Sequence, residues 1–104
     1  MAFYVNQTKF VLSFELDEER ICAETLIAYD SNRPTRLYIR SYDKGTDATT
    51  IAFGANLKLT KKSQDAILGN TINNCSVLAA FGKSNVERTK LNEVYDYFAK
   101  HVKD

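Results

Sequence analysis

Four residues in the stretch RPTRLYIRSYDKG, positions 33–45, have the types and spacing to do chemistry. Arg36, Tyr38, Arg40 and Tyr42 alternate along it, and in an extended strand alternate side chains share a face about 7 Å apart. Such a ladder suits single-stranded nucleic acid. Tyrosine faces stack bases, at about 1–3 kcal/mol per base, and guanidinium groups pair with phosphates. Lys58 extends the positive stripe from a neighbouring segment, where Ala52 and Gly54 leave room for a flat ligand. The candidate site is therefore Arg36, Tyr38, Arg40, Tyr42 and Lys58. Arginine and tyrosine are also enriched at protein–protein hot spots, so a protein partner fits the same ladder. The ordinary alternative is an internally neutralised sheet surface, with Glu15 and Glu24 as the cross-strand partners of the arginines.

Charge patterning singles out the same region. Residues 1–30 hold six carboxylates against Lys9 and Arg20, while residues 31–62 hold seven cations against Asp43 and Asp47. The formal net charge is only +1, so no global field draws the chain toward DNA or membranes.

Other chemistry has little support. The one histidine, His101, lies beside Lys100 and Lys103 near a helix end, where a solvated residue complements the helix dipole. Glu15 and Glu24 could face each other across a hairpin, but no motif marks them as a catalytic pair. No Cys/His/Asp spacing suits a metal, and there is no nucleophile elbow, phosphate loop or dinucleotide turn. The expectation is a non-catalytic protein with no cofactor and no metal. Cys22 and Cys75 lie among apolar residues and read as buried free thiols of a reducing compartment. The start MAFYVNQTKF lacks the apolar run of a signal peptide, and no stretch is long enough to span a bilayer. A cytoplasmic location follows, and the sequons at Asn6 and Asn74 read as chance.

The elements that must position these residues follow from periodicity. The chain of 104 residues suits one α+β domain, residues 1–104. KFVLSFELDEER alternates, with Phe10, Leu12, Phe14 and Leu16 on one face. ICAETLIAYD, the ladder strand and ATTIAFGANLKL complete about four strands, joined by short polar turns that favour antiparallel pairing. The small outer row with Gly54 marks a bulge or a close backbone approach. Thr60 or Ser63 caps a helix through KKSQDAIL. Residues 70–82 are ambiguous between helix and strand, with helix preferred. Ser84 and Glu87 form a capping-box pattern ahead of Leu91, Val94, Tyr95, Phe98 and Val102, the apolar stripe of a last helix over 84–103. The expected architecture is a four-stranded antiparallel sheet followed by two C-terminal helices packed on one face.

Strands followed by a helix, with RLYIRSYDKG on the outer face and LKLTKKSQDAIL at the passage to the helix, resemble single-strand-binding coactivator and whirly-type domains. The likeness is architectural and contains no specific motif. It implies single-strand binding on that face. The leading expectation is thus a binding protein for single-stranded nucleic acid. The alternative is a small intracellular inhibitor or adaptor, viral or plasmid-borne and acting on a host enzyme, using the same face. A third is a homo-oligomer in which the ladder meets its copy.

Overall fold

The computed structural model describes residues 1–30, 33–71, 75–84 and 90–101, with only the backbone given for Lys83, Lys100 and His101. Five strands form one antiparallel sheet in chain order: β1 (Ala2–Val5), β2 (Thr8–Leu16), β3 (Ile21–Asp30), β4 (Arg33–Asp43) and β5 (Ala48–Phe53). Each strand pairs with the one before it, as short polar turns require. A 3-10 turn (Ala55–Leu57) leads to α1 (Lys61–Asn70), α2 (Val77–Lys83) and α3 (Lys90–His101).

The expected fold class holds, with five strands in place of four and three helices in place of two among the described residues. The extra strand is β1. Its four residues are too few to show an alternating pattern, and it joins β2 through Asn6 and Gln7. Both have positive φ, 49° and 68°, the backbone of a two-residue hairpin turn that asparagine tolerates. The extra helix comes from the ambiguous segment. Thr60 caps α1 by accepting the Ser63 amide at 3.1 Å, and Ser76 caps α2 by accepting the Ala79 amide at 3.1 Å.

Ser84 ends α2, where its amide donates to the Phe81 carbonyl and its hydroxyl lies 2.8 Å from the Ala80 carbonyl oxygen. The same hydroxyl accepts the Asn70 side-chain amide at 2.8 Å and so ties α2 to the end of α1. Glu87 and Val102 lie outside the described residues.

The core fills the side of the sheet that the helices cover. Phe3, Phe10, Leu12, Leu26, Leu37 and Tyr38 meet Ile67 of α1, Val77, Leu78 and Phe81 of α2, and Leu91 and Val94 of α3. Among the described residues no helix is long and apolar enough to cross a membrane.

Gly54 is where the small-residue signal in β5 pays out. Its amide donates to the Leu37 carbonyl at 2.8 Å, and a Cβ there would stand closer to the Arg36 carbonyl oxygen than real side chains approach. Backbone sits against backbone, so a side chain cannot be absorbed by a rotamer change. Gly54→Ala is therefore expected to destabilise by about 1–3 kcal/mol. Ala52→Ser, at an exposed site two residues away, should change stability by less than about 0.5 kcal/mol. Thermal unfolding of the two variants checks this, and a Gly54→Ala midpoint equal to wild type would sink the close-approach argument.

Candidate functional site

The four ladder residues do not share an exposed face. β3 pairs Leu26 with Tyr38 and Ile27 with Arg36, so Leu37 is one residue too many in β4. That bulge changes the phase of the strand. Leu37 and Tyr38 are consecutive and both buried, at 2% and 0% exposure. Beyond the bulge Tyr38 and Arg40 point toward the helices, and Ile39 and Ser41 point away. The face that Arg36, Tyr38, Arg40 and Tyr42 were expected to share is thus split at the bulge. Arg36, on the other side of the bulge, stays on the outer face beside Ile39, Ala52 and Gly54.

Arg40 is 1% exposed and Glu24, its direct cross-strand partner, is 0% exposed. Arg40 Nη1 lies 3.4 Å from Glu24 Oε1 and donates to the Cys75 carbonyl at 2.5 Å. The Tyr38 hydroxyl donates to Glu24 Oε2 at 2.5 Å. The Val77 amide, first in α2, donates to both Glu24 oxygens at 2.9 and 3.1 Å. The Arg–Glu pairing weighed from the sequence does form, but inside the protein. There it receives the start of α2 rather than a ligand. Glu15 takes no part, because its register with Ala23 sets it on the opposite face from Glu24.

Burial raises the Glu24 carboxyl above its usual range. The Tyr38 hydroxyl, the Val77 amide and Arg40 pull the other way without overcoming it. Burial, with the Glu24 charge beside it, pushes the Tyr38 phenol well above its usual range.

Tyr42 is half-buried and engaged. Its hydroxyl donates to Asp47 at 2.7 Å and the Arg20 guanidinium carbon stands 3.9 Å from its ring centre. That hydrogen bond raises the phenol above its ordinary value. Lys58 is exposed but not on a strand. β5 ends at Phe53, and Lys58 closes the 3-10 turn at φ 55°. Of the five candidates, only Arg36 and Lys58 are exposed, and they are not on one strand surface.

The cysteines are free, as expected, but half-buried rather than buried. The Cys22 thiol donates to Asp17 at 3.3 Å, which raises it above the ordinary thiol range. Asp17 also accepts the Glu19 and Arg20 amides at 2.8 and 2.9 Å, and these bonds hold its carboxyl below the usual range.

No family model, curated protein or solved structure matches this chain. The surface has to speak for itself.

Two surfaces stand out among the described residues. The first is the outer sheet face. Tyr4, Lys9, Tyr29 and Pro34 are successive cross-strand neighbours on it, one row from Arg36. Tyr4 is 66% exposed, and Lys9 Nζ lies 5.6 Å from the Tyr29 ring centre. This row has the residue types sought in the ladder. Sequence reading missed it because its members come from four separate strands.

The second surface is an apolar groove on the helix side, where β2 runs past the helices. Phe14 and Leu16 face inward with Phe10 and Leu12, yet they are 45% and 67% exposed, and Met1 beside them is 62% exposed. One lobe, of about 570 Å³, has Leu12 and Phe14 as its floor, with Ala79 of α2 and Phe98 of α3 on its walls. A second, of about 580 Å³, continues along Phe14 and Leu16 to the turn Asp17–Arg20. Ser76 lines both.

Proposed function

We propose that this chain is a non-catalytic binding protein whose partner is another protein, held in the groove at Phe14 and Leu16. One observation carries the reading. Large apolar side chains on the core-facing side of β2 are left uncovered together, rather than scattered singly over the surface. A contiguous apolar patch bordered by polar groups is the signature of an interaction site. The buried Glu24, Tyr38 and Arg40 support a non-catalytic role, since the start of α2 occupies them and they are at most 1% exposed.

Burying a leucine at an interface is worth about 1.5–3 kcal/mol, roughly ten- to a hundredfold in affinity. Affinity capture from source-cell extract should therefore retain a partner on wild type and lose most of it on Leu16→Ser. The exposure of Leu16 lets the variant fold. An unchanged set of captured proteins would remove the groove from the function.

A second reading keeps single-stranded nucleic acid, moved to the outer face, and the Tyr4–Lys9–Tyr29 row beside Arg36 favours it. Here Tyr29→Ala should weaken binding of a labelled oligothymidine without altering its salt dependence. Arg36→Ala should weaken it and flatten the salt slope by about 0.7 for the lost phosphate contact. Anisotropy titrations at two salt concentrations measure both. No saturable signal below about 100 μM ends this reading.

A further inference from the structure

Resting on the protein-binding reading, we infer that the groove takes a partner segment carrying bulky apolar side chains beside lysine or arginine. The apolar requirement comes from Phe14, Leu16 and the wall at Ala79 and Phe98. The basic requirement comes from the end of the groove, where the second lobe runs into Asp17, Glu18 and Glu19.

The charges there are not equivalent. Asp17 is spent on the amides of its own turn. Arg20 is turned to Tyr42 and lies 3.8 Å from Asp47, and Lys44 lines, with Glu18 and Glu19, the neighbouring cleft rather than the groove itself. Glu18 and Glu19 are exposed, and among the described residues no ion pair engages either. A ligand that fills the floor therefore brings its flanking positions to two carboxylates that no described ion pair engages. Each exposed pairing adds about 0.2–1 kcal/mol, up to about fivefold in affinity, and salt weakens it. Discrimination between a basic and an acidic ligand doubles the logarithm of that effect, because attraction is exchanged for repulsion.

Three labelled synthetic peptides test this, sharing one leucine/phenylalanine pattern and differing only at the intervening positions, which are all lysine, all glutamine or all glutamate. Binding is read by anisotropy, and the site by NMR shifts of the Phe14 ring and Leu16 methyls. The lysine peptide should shift those groups, bind at least about tenfold more tightly than the glutamate peptide, and lose that advantage as salt rises. Ala79→Gln, which narrows the groove at an exposed helical position, should weaken it. Glu18→Lys combined with Glu19→Lys should reverse the order of the lysine and glutamate peptides. Equal affinities for all three at the groove would overturn the basic class and leave the groove reading standing. Lysine-peptide binding that ignores Leu16→Ser and Ala79→Gln is attraction to surface charge, and it overturns the inference. If no peptide moves Phe14 or Leu16, the inference fails. The groove reading is then judged separately, by whether the partner captured on wild type is lost on Leu16→Ser.

Discussion

Glu24→Ala should destabilise the protein by about 3–5 kcal/mol, the cost of removing one member of a buried ion pair. The variant leaves the Arg40 guanidinium without its carboxylate, and the Tyr38 hydroxyl and Val77 amide without the acceptor they share. Those groups cannot turn to water, because Tyr38 and Val77 are fully buried and Arg40 nearly so. Denaturant unfolding measures the loss. The double variant Glu24→Leu with Arg40→Met should lose less than Glu24→Ala alone, since no uncompensated charge then remains inside. A double variant as damaged as the two singles summed would show that the residues do not act as a unit.

The same carboxyl gives stability a pH dependence of defined sign. Burial holds its folded pKa above the unfolded value, so in the carboxylate range and just above it the folded state binds more protons at this site. The Glu24 contribution is then fully present below the unfolded pKa and is lost as pH rises through the elevated folded pKa. Glu24→Gln should remove this component. The difference in stability between wild type and Glu24→Gln, followed upward in pH from the ordinary carboxylate range, is expected to move against wild type. A flat difference would mean that burial does not dominate the carboxyl.

Phe10→Ala should cost a comparable amount, about 3–5 kcal/mol, through a different mechanism. Phe10 is fully buried, and its ring stacks on Phe3 with centroids 5.6 Å apart. Phe3 in turn stacks on Tyr97 at 5.2 Å and meets Phe98 edge-on at 5.0 Å. Removing Phe10 opens a cavity beneath β1 and takes one wall from the cluster that joins β1 to α3. Hydrogen exchange should therefore quicken first at β1, the short edge strand. A loss below about 1 kcal/mol would mean that the neighbouring rings collapse into the space.

Much of the fold can be read from local pattern. Alternation places Phe10 and Leu12 in the core, and the hydroxyl of Thr60 sits at the start of α1. The ladder could not be read this way. Its faces depend on a bulge at Leu37, and no residue in β4 announces it. The signal lies elsewhere, at Gly54 just past the end of β5, whose missing side chain admits the bulged backbone. The groove was illegible for a related reason. Phe14 and Leu16 continue the inward row of Phe10 and Leu12, and only the placement of the helices decides which of them is covered.

The chain-order meander also has a consequence during synthesis. Every strand finds its partner in the segment made just before it, so the sheet is complete at Phe53, before any helical residue leaves the ribosome. At that stage Phe10, Leu12 and Leu26 face water with nothing over them. Glu24 and Arg40 stand in the middle of that face, still hydrated. Dehydrating them against another nascent chain carries a penalty that their own helix later offsets with the Val77 amide and the Cys75 carbonyl. The ion pair that locks the finished molecule would thus also make the half-made sheet a poor surface for aggregation.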